Sequence, residues 1–207
     1  MKKITTLGII ILVALGYFVF RQSNQNTANT ETVETVQPEN TKESVATVIK
    51  NETDEGVEIF LVDRLDGILG EYCLDIAGGN QNVDPNNGLQ VHTCYSYKGD
   101  LGTDQIFSTT AFAENRLYMP IYDVCAYIPT LETGSEVELT ACNENATAIT
   151  FNTSGTLTPV DAPNMCLTAA PESRMGRGSE HQIRALTLEL CSDELAAYQT
   201  WGVRSEA

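Results

Sequence analysis

From residue 57 onward the apolar positions come in short runs broken by turn residues, and the runs repeat. Val57-Glu58-Ile59-Phe60-Leu61-Val62 opens the series as a strand. Three blocks follow, each with a leucine-bearing lead-in: Ile68-Leu69, Arg116-Leu117-Tyr118 and Thr156-Leu157-Thr158. Next in each block comes a cysteine opening: Cys73-Leu74-Asp75-Ile76, Cys125-Ala126-Tyr127-Ile128 and Cys166-Leu167-Thr168. An apolar strand then runs into a second cysteine, over 89–94, 137–142 and 186–191. Each block closes on an aromatic strand: Gln105-Ile106-Phe107, Ile149-Thr150-Phe151 and Gln199-Thr200-Trp201. Turn clusters at 86–88, 132–135 and 174–179 separate the runs. Helical periodicity is nearly absent, with a single turn expected over 193–197. The pattern predicts an all-β domain. A unit of roughly forty to fifty residues cannot bury its own apolar face, so the three copies must share one core.

The chain has six cysteines, one pair in each copy. Six cysteines allow fifteen pairings, and spacing alone does not choose among them. If the copies are equivalent, only Cys73 with Cys94, Cys125 with Cys142 and Cys166 with Cys191 treat them alike. The competing states are free thiols or a zinc site. Against zinc, there is no Cys-x-x-Cys spacing, and His92 and His181 are not placed as in a finger. Three disulfides imply an oxidising compartment.

The N-terminus points the same way. Lys2 and Lys3 precede an uncharged, largely apolar run from Ile4 to Phe20, which as a helix spans about 25 Å. Two states are open. A signal anchor is favoured by the bulky Tyr17-Phe18-Val19-Phe20, which extends the run past the small residues. A cleaved signal peptide has Ala14-Leu15-Gly16 as its one passable site. For an anchor, the two lysines stay in the cytoplasm and the rest crosses, to a periplasmic or cell-surface location; for a signal peptide, the protein is secreted. Residues 22–56 are mostly Asn, Thr, Glu, Gln and Ser, a composition that reads as a flexible acidic stalk. The division expected is therefore 1–21 anchor or signal, 22–56 stalk and 57–207 β domain.

Charge narrows the partners. With 28 acidic against 12 basic residues and a formal net charge of −16, the chain is a poor ligand for nucleic acid, anionic lipid or polyanionic glycans. Membrane contact is expected through the N-terminal segment only. No Gly-x-Ser-x-Gly elbow, His-Glu-x-x-His or phosphate loop is present, so no catalytic residues, cofactor or metal are assigned. Asp84-Pro85-Asn86-Asn87-Gly88 lacks the ligand run of an EF-hand and reads as a turn. Asn51-Glu52-Thr53, Asn145-Ala146-Thr147 and Asn152-Thr153-Ser154 are glycosylation sequons.

The Cys-Leu-Asp opening, the alternating strand into the second cysteine and the Gln-x-Trp closing strand together resemble the ricin B-type lectin repeat. The resemblance covers residues 57–203 in order and number. It departs at Phe107 and Phe151, which stand for the closing tryptophan, and at Ile149, which stands for the glutamine. It implies a β-trefoil and a sugar held by three elements. These are the aspartate of the opening, an aromatic two residues before the second cysteine, and the polar pair at the start of Gln-x-Trp. In the first copy they are Asp75, His92, Asp104 and Gln105. A carboxylate accepts bonds from two sugar hydroxyls while a ring covers the sugar's apolar face. The same positions are Tyr127, Thr140 and Ile149 in the second copy, and Thr168, Glu189 and Gln199 in the third. Neither keeps the carboxylate, so one sugar site per chain is implied. The expected ligand is a neutral or amino sugar; the other class of function is a scaffold that binds a protein partner.

Overall fold

Each cysteine opening becomes one arm of an antiparallel hairpin whose other arm runs into the second cysteine. The computed structural model describes residues 56–67, 70–78, 83–95 and 102–205, all within the unit Ile49–Ala207. In chain order its strands are β1 (Gly56–Leu61), β2 (Tyr72–Ile76), β3 (Leu89–Thr93), β4 (Phe107–Ser108) and β5 (Tyr118–Met119). There follow β6 (Val124–Tyr127), β7 (Ser135–Glu136), β8 (Glu138–Ala141), β9 (Ile149–Phe151) and β10 (Leu157–Pro159). Last come β11 (Met165–Ala169), β12 (Arg174–Met175), β13 (Gln182–Leu190) and β14 (Trp201–Arg204). The one described α-helix is the single turn α1 (Ala196–Gln199). The all-β expectation therefore holds. Among the described residues no helix is long and apolar enough to cross a membrane. The segments 1–21 and 22–55, with the anchor and stalk expected there, and the lead-in Ile68-Leu69 lie outside the described residues.

The repeat is visible in the strand registers. Cys73 pairs with His92 across β2 and β3, Cys125 with Thr140 across β6 and β8, and Cys166 with Glu189 across β11 and β13. The residue two before the second cysteine thus faces the first cysteine in every copy. Disulfides close the hairpins as Cys73–Cys94, Cys125–Cys142 and Cys166–Cys191, each with Cα atoms 5.0 Å apart. By loop entropy each such bridge contributes about 3 kcal/mol.

The copies share one core, as the period-of-two pattern requires. Val57, Ile59 and Leu61 enter it from β1, and Leu74, Ala126 and Leu167 enter from the position after each first cysteine. Leu89, Val137 and Leu186 form an equivalent set at the start of the second arms, all buried. Backbone bonds stitch these neighbours: Leu89 N–H donates to the Val137 carbonyl at 2.7 Å. Gly88 precedes that contact with φ of 72°, and a Cβ there would lie 2.8 Å from the Val137 oxygen. Only glycine allows both the left-handed backbone and the close approach. The chain closes on itself where β14 pairs with β1, Trp201 facing Leu61.

Some boundaries differ from the sequence expectation. The turn expected over 174–179 begins as β12, which pairs with β13. The strand into Cys191 starts at Gln182, ahead of the apolar run, because β3 and β12 both pair with its first half. Partner strands brought from elsewhere lengthen it, and no local pattern records them. Asp84 caps a short 3-10 turn over Pro85–Asn87, its carboxylate accepting from Asn86 N–H at 3.0 Å and from Asn86 Nδ2 at 2.7 Å.

Candidate functional site

The first copy gathers the four residues singled out from the sequence, and it buries them. Asp75 on β2 is 1% exposed, His92 on β3 is 6%, and Asp104 and Gln105 on a 3-10 turn before β4 are 4% and 0%. Both Asp75 oxygens are taken by side-chain amides: Gln90 Nε2 donates to Oδ1 and Gln105 Nε2 to Oδ2, each at 2.9 Å. Gln105 Oε1 in turn accepts the Tyr95 backbone N–H at 3.0 Å. Asp75 is thus the hub of an internal frame and is almost wholly buried. The frame takes up one hydrogen-bonding position on each Asp75 oxygen and both ends of the Gln105 amide, and Asp104, next to Gln105, is buried as well.

Gln199 makes the same frame in the third copy. Its Nε2 donates to Thr168 Oγ1 at 2.9 Å and to the Leu190 carbonyl at 3.0 Å, and its Oε1 accepts Ser192 N–H at 3.0 Å. Ser192 follows Cys191 as Tyr95 follows Cys94. The closing glutamine therefore latches the turn after the second cysteine in both copies. Trp201, two residues on, donates its indole N–H to the Leu167 carbonyl at 3.0 Å. In the second copy Ile149 is fully buried, and Thr147 Oγ1 instead accepts Ile128 N–H at 2.7 Å.

Above the first-copy frame lies a cleft of about 280 Å³ lined by Gly78, His92, Tyr95, Gly176, Arg177, His181 and Ile183. Its rings form a cluster: the His92 centroid is 5.2 Å from that of Tyr95 and 5.5 Å from that of His181. His92 pairs with Ile183 across β3 and β13, which brings the third copy's residues to this place. His92 Nδ1 lies 2.8 Å from the Thr93 carbonyl. A carbonyl only accepts, so Nδ1 carries the proton and Nε2 is left as an acceptor. Burial lowers the His92 pKa, helped by the charges of His181 and Arg174, and the ring is neutral at pH 7.

The carboxylates below are pushed the other way. Burial raises Asp75 well above the ordinary aspartate range; the Asp104 charge adds to this, and the Gln90 and Gln105 amides oppose it. Burial also raises Asp104. Tyr95 is raised by burial and then by the charges of Asp75 and Asp104. A Cβ on Gly102 would lie 2.2 Å from Tyr95 Cδ2, so the ring packs directly on that glycine.

Tyr95, Gln90, Arg177 and His181 were not singled out from the sequence. Tyr95 carried a local signal, being an aromatic next to the second cysteine. His181 and Arg177 carried none, because they reach the cleft only through the pairing of β13 with β3. Elsewhere, Glu58, Cys73 and Cys94 bring three ligand-type atoms together. The two sulfurs form a disulfide and Glu58 accepts from Arg204 Nε at 2.8 Å, so the group does not fit a metal.

Among solved structures the chain is similar to the earthworm lectin C-terminal domain mutant in complex with 6'-sialyllactose. That match has 18% identity over 73% of this chain and 99% of the other, with a TM-score of 0.46. It is also similar to the agglutinin from Abrus precatorius, with 16% identity over 74% of this chain and a TM-score of 0.45. That second match spans 48% of the agglutinin's length. No protein-family model matches the chain, and no curated protein matches it.

Proposed function

We propose that this chain is a ricin B-type, β-trefoil carbohydrate-binding module, without catalytic activity, that holds one sugar above its first repeat. The observation that carries the proposal is the three-ring cleft of His92, Tyr95 and His181 over the Asp75 frame. A half-buried tyrosine offers a face for a sugar's apolar side, and His92 Nε2 offers an acceptor for a hydroxyl. Gln105, itself held by Asp75, fixes the turn that carries Tyr95, and the polar groups of Asp75, Asp104 and Gln105 lie in the same repeat as the candidate contacts for the sugar. The register-equivalent residues of His92 are Thr140 and Glu189, which supply no ring. One site per chain follows, without avidity between repeats.

The three disulfides support a domain outside the cytoplasm, since such bridges persist in oxidising compartments. With it we propose the anchor or signal segment 1–21 and the stalk 22–56. The test is a glycan array probed with the parent chain and with Tyr95→Ala. Sugar binding that the substitution abolishes supports the proposal. An array blank for the parent favours the protein-partner scaffold instead.

A further inference from the structure

We propose that the Cys125–Cys142 disulfide is a redox switch, which a dithiol reductant opens ahead of the other two bridges and whose opening releases the second repeat alone. The equilibrium between a bridge and its two thiols depends on how firmly the rest of the fold holds the sulfurs together once the bond is cut. In the first and third repeats that hold is strong. The side-chain oxygens of Gln105 and Gln199 accept the backbone N–H of the residue after the second cysteine, Tyr95 and Ser192, each at 3.0 Å. Each glutamine is also anchored on the opening strand, through Asp75 and through Thr168. Cutting Cys73–Cys94 or Cys166–Cys191 therefore leaves the thiols side by side, ready to close again.

The second repeat is built differently. Ile149 stands in the glutamine's place and has no side-chain polar group to offer. Asn143, the residue after Cys142, donates its N–H to the Ala141 carbonyl at 2.8 Å, and Ala146 N–H returns to the Asn143 carbonyl at 3.2 Å. This turn is bonded to itself, and the tie to the opening strand comes further on, where Thr147 N–H donates to the Ala126 carbonyl at 3.0 Å. The strands differ in the same direction. β3 and β13 lie inside the nine-stranded sheet with partners on both sides, whereas among the described residues β8 is the last strand of the order β5-β6-β8. All five residues of β3 are buried, and none of the four of β8 is. Access to the sulfurs also differs. Cys73 and Cys94 are both buried, so a thiolate reaches them only after the hairpin opens. Cys142 is partly exposed and, with Cys125, lines a cleft of about 300 Å³. Cys191 is more exposed than Cys142, which speeds attack there but leaves the Gln199 latch in place to reclose the bond.

In the reduction, a thiolate of the dithiol attacks Cys142 Sγ, the S–S bond breaks, and Cys125 leaves as a thiolate that takes up a proton. The reductant's second thiolate then attacks its own sulfur in the mixed disulfide and expels Cys142, which is protonated in turn. The dithiol gives up two electrons and ends as a cyclic disulfide, and the two cysteines end as thiols. The three-ring cleft is lined by residues of the first and third repeats, so it persists while residues 138–147 open.

The experiment equilibrates the full chain, without denaturant, in oxidised and reduced dithiothreitol at graded ratios, traps free thiols by alkylation and maps them by peptide mass spectrometry. Cys125 and Cys142 should become labelled at a ratio about ten-fold more oxidising than the one that labels either other pair. At that ratio hydrogen exchange should speed up over residues 138–147 and stay unchanged in β2, β3, β11 and β13. Reduction of another pair first, reduction of all three together, or resistance of Cys125–Cys142 to the end of the series overturns the inference. So does a reduced second bridge with residues 138–147 still protected, or with protection lost throughout the chain.

Discussion

Gln105 Nε2 donates to Asp75 Oδ2 at 2.9 Å, and Gln199 Nε2 donates to Thr168 Oγ1 at the same distance. The two glutamines hold equivalent places in the first and third repeats and use the same three kinds of partner. One repeat keeps a carboxylate and the other a hydroxyl, so the glutamine's first duty is structural. Gln199→Ala should strand Ser192 N–H and cost roughly 1–3 kcal/mol of stability without changing sugar binding. Urea unfolding beside a sugar titration checks this. A loss of binding with stability unchanged would reverse the assignment.

The carboxylates of the first repeat set opposite limbs of the pH–stability curve. Asp75 and Asp104 have pKa values raised by burial. Their stabilisation is complete below the ordinary aspartate value of about 4 and is lost as pH rises through their folded-state values. In Asp66 and Glu71 burial is outweighed, by bonds from Tyr72 and Arg184 and by bonds from Arg204 and Arg64, and both are lowered. Their contribution is present above about 4 and is lost as pH falls through their folded-state values. Asp75→Asn can accept from Gln105 and donate to a flipped Gln90, so it should fold and flatten the falling limb above pH 4. Urea midpoints across the pH range measure it; an unchanged limb would place the penalty elsewhere.

Arg184 ties the third repeat to the first from a position 1% exposed. It donates to the Ala170 and Pro171 carbonyls, pairs with Asp66, and lies 4.8 Å over the Tyr72 ring. Arg184→Ala should cost about 3–5 kcal/mol, because it strands these partners. Arg184→Met, which keeps the packing over Tyr72, should cost less. Chemical denaturation of both ranks them, and a loss for alanine under about 0.5 kcal/mol would mean the network is inert.

The sequons differ in accessibility. Asn152 Nδ2 donates to Thr156 O, Thr156 Oγ1 and Thr158 Oγ1 at 3.0 to 3.1 Å, whereas Asn145 is exposed. Expressed through a glycosylating secretory pathway, the chain should carry a glycan at Asn145 and little at Asn152. Glycopeptide mass spectrometry reads the occupancies, and full occupancy at Asn152 would show that its bonds open during folding.

Much of the fold was legible in the sequence because a β repeat writes itself locally. Strand alternation, turn residues and paired cysteines recur at fixed offsets, and the registers of Cys73, Cys125 and Cys166 reproduce them. The candidate site was legible in part. Asp75, His92, Asp104 and Gln105 do come together, since they belong to one copy and its own hairpin. What the sequence could not give was their burial, or the arrival of Arg177 and His181. Those depend on β13 pairing with β3, a contact between copies that leaves no mark in either stretch alone.

The most direct measurement of the sugar site is an NMR titration of the isotope-labelled chain with the sugar that the array selects. Amide shifts should concentrate at Gly78, His92, Tyr95 and residues 176–183, while those around Thr140, Thr168 and Glu189 stay still. Shifts centred on the second or third repeat, or none for any sugar, would contradict a single site above the first repeat.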